Sequence, residues 1–501
     1  MKRRQFIKTT AHAGAAGFVL PGFLSSRSNM VKEKPKVTPD PLFLQGKALR
    51  VKPILLYNES TPLKKASWRE FGDIRSKEDA VKEARRIDRE LKHLQEMAEF
   101  PFEILPIKII DTQDKLKQVP VKDADLCVLY AAGHISIWPH DVPMVMFLRH
   151  RVGPYYVGYI RAHFRFLRGS GDEFVHENFN TDDVVVDYYE ELLWRLRAMY
   201  GLKNAMGTKM LAIGGLAAYE EVAQEAGPRV AKDAWGYEFI TVTNEEFTKR
   251  LNSARADQKT VNQINKQTDD LINKFNVKLE TKRKFVFNSY MALHVVKQYL
   301  KETGATNFGF SHCMAHEQIS MLDTPPCFVL SLANDEGYTA YCHTDLSHTM
   351  PGVLMRWIAS RPTFVSNAHF THHGLIFYSH CQAPRRMNGR DFEPGIIKTH
   401  YESDYGAACK TEYTEGQTVT VVQPNLRCTR WQGFRGKIVG VPTYPSCRSQ
   451  LEIEIDGDWE KFLREMEGFH GQIIYGDYLK EIGFAMRKLG SPIEWQCYSQ
   501  V

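Results

Sequence analysis

The chain has 501 residues, of which 43% are hydrophobic and 25% charged, a globular composition whose length calls for two to four domains rather than one core. The formal charge of +6 includes Lys2, Arg3, Arg4, Lys8 and Arg27, all ahead of the first acid at Glu33; without them it is +1, which excludes a basic nucleic-acid surface. Nine scattered cysteines exclude a disulfide scaffold.

The first element is an export signal. Arg3-Arg4-Gln5-Phe6-Ile7-Lys8 precedes a small, apolar run over 11–24, which is the twin-arginine pattern. Gly14, Gly17, Pro21 and Gly22 interrupt that run, and no later run is long enough to cross a bilayer. The sequence therefore predicts a signal peptide over 1–30 and a linker over 31–45. Its product is bacterial, carried by the twin-arginine translocase, and periplasmic or secreted, with no stable membrane insertion after processing.

Strand and helix signals then alternate. Residues 53–57 read as a strand, and Ser76-Lys77-Glu78-Asp79 has the form of a capping box. Ala80, Ala84, Ile87, Leu91, Leu94 and Met97 follow at helical spacing. Strands are predicted over 102–110 and 126–130, and a helix from Thr181 to a stop at Gly201. The alternation restarts at 209–215, where a strand runs into Gly214-Gly215 and a helix around 217–225. Helices over 255–275 and 283–303 come next. Beyond about 336 the helical spacing gives way to strand-like runs at 418–422, 437–441 and 451–455, closed by a helix over 478–489. The predicted fold class is α/β: two Rossmann-like α/β domains, 46–206 and 207–338, followed by a C-terminal antiparallel β-barrel-like domain, 339–501.

Chemistry-bearing residues concentrate late in the chain. His343, His348, His369, His372, His373 and His380 fall in one window, with Asp335, Asp345, Cys342 and Cys381 among them. A strand over 339–345 projects Tyr341, His343 and Asp345 from one face, where histidine and carboxylate can reach one divalent ion. His470 sits between Gly468 and Gly471, which suits close approach to the imidazole. His312 and His316 are spaced to chelate zinc on a helix, although the order is not that of a metalloprotease.

Four stretches in 207–501 resemble the L-fucose isomerase fold family, which shares its architecture with L-arabinose isomerases. Residues 209–215 look like the start of that family's second domain. Residues 328–337, running on to Cys342-His343-Thr344-Asp345, look like the segment bearing its metal-binding aspartate. Residues 469–476 are similar to the segment bearing its metal-binding histidine, and 379–384 resemble a substrate-side loop. The resemblance implies a metal-dependent aldose–ketose isomerase, with manganese as the ion, or zinc or iron, and a sugar or sugar derivative as substrate. It also implies a homo-oligomer. Carried over by position, Asp345 and His470 are metal ligands. The chain departs from the pattern at the third ligand: 325–327 contain no carboxylate, and His343 stands where a common form of the motif has glutamate. His343 is therefore assigned as ligand or acid–base partner, His380 as acid–base partner and Asp345 as catalytic, with Glu336 a further substitute for the missing acid. Two other readings stay open: a sugar-binding protein without catalysis, and a metal-assisted sugar hydrolase or lyase.

Overall fold

Ser76 accepts a hydrogen bond from the Asp79 amide and starts the helix Lys77–Met97, whose stripe of Ala80, Ala84, Ile87, Leu91 and Leu94 is buried. The computed structural model that displays this describes residues 45–500, apart from 276, 313 and 491. The export signal and nearly all of the linker lie outside the described residues.

That helix packs on a parallel sheet in which Leu49–Leu56 lies between Phe102–Ile104 and Leu126–Ala131, followed by Met144–Leu148 and Val184–Val186. Lys108–Ile110 also pairs with Leu49–Leu56, so the single run expected over 102–110 is two short strands. Leu126–Ala131 and Met144–Leu148 are buried throughout, as strands covered on both faces must be.

A second parallel sheet has the order Thr339–Cys342, Asn307–Phe310, Lys209–Ile213, Glu238–Val242. The chain leaves Lys209–Ile213 toward one side and later returns on the other. The carboxyl ends of the two central strands therefore flank a topological switch point, where open α/β sheets leave a crevice. Because Thr339–Cys342 belongs to this sheet, its residues continue past 338.

The C-terminal region is a closed barrel of six antiparallel strands. Around it run Thr418–Pro424, His470–Tyr475, Phe364–Ala368, Leu375–His380, Ser449–Asp456 and Arg430–Gly440, the last pairing back with the first. Closure removes the free edges that an open sheet would present. Glu494–Cys497 joins Arg430–Gly440 in parallel, and Leu479–Leu489 is the closing helix, ended by Gly490 at φ +62°.

Several helices differ from expectation, each for a packing reason. Tyr189–Ala205 runs through Gly201 rather than stopping there, because a Cβ at Gly201 would sit 2.2 Å from Ile358 Cγ1. Its glycine permits a close helix crossing. The helix after the glycine pair is Glu221–Trp235, and the run over 255–275 is split between Asn244–Ala256 and Gln258–Lys274 by Asp257, which caps the second. Most consequentially, a helix spans Leu346–Ala359 in a stretch without helical spacing. All fourteen of its residues are buried, so no polar face betrays it. It packs against Tyr189–Ala205, Glu221–Trp235 and the barrel strand His470–Tyr475, and so joins the surroundings of the two parallel sheets and the barrel.

Candidate metal centre

The site begins where Thr339–Cys342 ends. His343 takes the left-handed conformation, φ +56°, and turns the chain out of the sheet. Two contacts force that turn. A Cβ on Gly309, in the neighbouring strand, would lie 2.4 Å from the His343 carbonyl oxygen. Thr344 accepts the Ala217 amide at 2.6 Å and donates to the Gly215 carbonyl at 2.9 Å, which pins the glycine loop against it. The strand expected over 339–345 therefore stops at Cys342, and Tyr341, His343 and Asp345 do not share one strand face.

Asp345 instead caps the buried helix Leu346–Ala359, its Oδ1 accepting the Ser347 amide at 2.8 Å. The other oxygen, Oδ2, lies 3.8 Å from Nδ1 of His348, one helical turn on. His470 opens the barrel strand His470–Tyr475, and Gln472 of that strand donates to the His348 carbonyl at 2.8 Å. Helix N-terminus and barrel strand are thus clamped together, and one donor atom each from Asp345, His348 and His470 falls within 4.8 Å of the others. No other group of three His, Cys, Asp or Glu side chains meets that condition among the described residues.

All three are buried, and the His348 and His470 rings stand 4.6 Å apart, edge to face. Burial, followed by the mutual repulsion of neighbouring histidines, pushes His348 and His470 down to about 3; His380, 6.1 Å from His470, is pushed down to about 3 for the same reasons. The imidazoles are therefore neutral near pH 7 and offer lone pairs. Neither ring nitrogen of His348 has a well-formed hydrogen bond, and the Cys342 backbone adds only a minor favourable interaction. Leaving such buried groups unpaired costs about 1–3 kcal/mol each, a cost that an ion would remove. One carboxylate and two imidazoles are the donor set that suits zinc, manganese or iron. A tetrahedral ion held at about 2.1 Å sets its donors about 3.4 Å apart, within reach of small side-chain adjustments here.

The residues singled out from sequence divide accordingly. Asp345 and His470 are brought together. His343 is outside the group of three, its ring 6.3 Å from His312 and 6.2 Å from Tyr219, its Nδ1 buried without a partner. His380 ends the strand Leu375–His380 and accepts the Cys381 amide on Nδ1 at 3.0 Å. His369 bonds Ser379 at 3.0 Å, and His372 and His373 face each other 5.7 Å apart. Asp335 accepts the amides of Arg385 and Arg386, and Glu336 pairs with Lys297. His316 begins the helix His316–Leu322 while His312 lies in the turn before it, so the pair does not share a helix face. His348 is the residue that sequence reasoning left undistinguished. Its signal is Asp345-x-x-His348 across a helix start, legible only once that helix is recognised.

Two exposed rings rim the site. Tyr219, 70% exposed on the glycine loop, stacks 6.4 Å from Phe469, 40% exposed, and Phe469 lies 4.7 Å from His470. No protein-family model matches the chain, and no curated protein matches it.

Proposed function

We propose that the protein is a metal-dependent enzyme acting on a sugar or sugar derivative, isomerase-like in fold and chemistry. The observation that carries this reading is the buried group of Asp345, His348 and His470, in which neither His348 nitrogen makes a well-formed hydrogen bond, beside exposed aromatic rings. Asp345, His348 and His470 would hold a divalent ion, manganese first, with zinc or iron as alternatives. Such an ion supplies a Lewis acid for neighbouring hydroxyl and carbonyl oxygens. The chain's own residues do the rest. Asp345 contributes the negative charge of the donor set. His343, whose Nδ1 is buried without a partner, accepts and returns a proton, work that typically contributes ~100- to 10,000-fold in rate, while His380, whose Nδ1 already accepts the Cys381 amide, can offer only the N–H of its other ring nitrogen. Tyr219 and Phe469 offer flat apolar faces to the C–H face of a sugar ring and keep water from it.

Two parallel-sheet units followed by a barrel are the order that the resemblance to L-fucose isomerases implies, which supports a Rossmann-like reading of both units. Export through the twin-arginine route, to periplasm or outside, with a homo-oligomer as the working form, belongs to the same proposal.

A second reading, a sugar-binding protein without catalysis, is favoured by one feature: residues 325–327 are Pro-Pro-Cys, and the group of three contains a single carboxylate. Elemental mass spectrometry of the purified chain, followed by turnover assays and calorimetry on one panel of aldoses, separates the two. Bound metal with product formation supports the enzyme; heat of binding without product supports the binding protein. Absence of metal after incubation with each ion refutes the metal site.

A further inference from the structure

Cys381 lies one residue beyond the barrel strand Leu375–His380, and Cys447 two residues ahead of Ser449–Asp456, which pairs with it. The antiparallel register sets His380 opposite Ser449, so the segments carrying the two cysteines run side by side. The Arg448 amide donates to the Cys381 sulfur at 3.4 Å. Cys327, Cys381 and Ala408 form a small buried cluster, and Cys447 packs on it from the loop. Cys381 is 1% exposed, whereas Cys447 is only partly covered. The loop is already seated, since Ser446 and Ser379 share a hydrogen bond of 2.9 Å.

The electrostatics of the pair are asymmetric. A hydrogen bond from the Cys447 thiol, then the His400 ring and the Arg448 amide, hold the Cys381 thiol well below its ordinary range. Cys447 correspondingly keeps its proton. The two sulfurs thus face each other across a hydrogen bond, with the thiol that solvent can reach in front of the one that it cannot. The site chemistry proposed above uses neither residue.

We propose that Cys381 and Cys447 form a disulfide-exchange site, which reacts with small-molecule disulfides of the glutathione type and closes to an intramolecular bridge. Once the pair has lost one proton to solvent, Cys447 attacks one sulfur of the small disulfide while the remaining proton passes to Cys381. An S–S bond to Cys447 forms, the original S–S bond breaks, and a small thiolate departs. Cys381 then gives up that proton and attacks the Cys447 sulfur. The protein bridge forms and a second small thiol leaves. The two cysteines lose two electrons and the small disulfide gains them. Closure ties the loop 441–448 to the end of the strand that carries His380.

The test is peptide mapping of the full chain after equilibration at graded ratios of oxidised to reduced glutathione, with alkylation as the quench. The expected result is a Cys381–Cys447 linked peptide that rises with the oxidised fraction and disappears on adding dithiothreitol. Cys381→Ser should then accumulate glutathione on Cys447, because the resolving thiol is gone, to at least ten times the wild-type level. Full alkylation of both cysteines at every ratio overturns the proposal, as does a bridge from either one to Cys327. Equal glutathione on Cys447 in wild type and Cys381→Ser overturns the two-step order. Should Cys381→Ser fail to fold, the wild-type map alone decides.

Discussion

Asp345 has two separable jobs, and replacing it in two ways should separate them. Its Oδ1 caps a helix of fourteen buried residues, and its Oδ2 faces His348. Asparagine retains an oxygen for the Ser347 amide and caps about as well as aspartate, so Asp345→Asn should shift stability by only a few tenths of a kcal/mol. Alanine removes the cap, and Asp345→Ala should cost about 1–2 kcal/mol in the metal-free protein. Both lose the one charged donor of the group. An ion present at 100 times its dissociation constant stabilises the folded state by about 2.7 kcal/mol; a hundredfold weaker site gains only about 0.4 kcal/mol at the same concentration. Thermal melts of wild type and both variants, with and without saturating manganese, read these terms directly. Elemental analysis after dialysis gives the occupancy. Wild type should show a large ion-dependent rise in Tm, Asp345→Asn almost none from an unchanged apo Tm, and Asp345→Ala almost none from a lowered one. An Asp345→Asn protein that keeps its metal and its ion-dependent shift would refute the assignment of Asp345 as a ligand.

Three further outcomes follow from particular contacts. Gly309→Ala places a Cβ 2.4 Å from the His343 carbonyl oxygen; it should displace the turn that delivers Asp345 and lower metal content, measured by elemental mass spectrometry, more than any exposed Gly→Ala change. Tyr219→Ala removes an exposed ring, so metal content and Tm should hold while sugar binding, read by calorimetry, weakens by about 0.5–1.5 kcal/mol. Burial raises Asp335 to about 6 from its ordinary 3.8; the stability it contributes is complete below about pH 4 and lost as pH rises through 6, a swing of roughly 3 kcal/mol. Urea midpoints at pH 5 and pH 8 should show the upper part of that decline, about 1.4 kcal/mol, in wild type and a shallower one in Asp335→Asn.

Much of the periphery was legible because it is amphipathic. The capping box at Ser76, the stripe from Ala80 to Leu94 and the helix Arg283–Thr303 each turn one polar face outward. The interior was less so. Leu346–Ala359 has no exposed residue, and periodicity has nothing to report where every face is covered. His348 was lost with it, because its place beside Asp345 depends on the helical turn. Gly201 looked like a stop, since a glycine permits both a helix end and a close crossing, and only Ile358 decides between them. Asp345 and His470 stood out by their neighbours in sequence; that they meet, 125 positions apart, is a property of the barrel closing on the helix. The crowding of six histidines was informative only as a region, for His369, His372 and His373 have other company.

The helix that carries Asp345 and His348 in its first turn also lies against Tyr189–Ala205 along its length, with Gly201 touching Ile358 near its far end. Although Pro351 interrupts its hydrogen-bond ladder, this helix couples the site to the N-terminal unit through packed side chains. The site's geometry is inherited from how firmly the two ends of the molecule hold one segment between them.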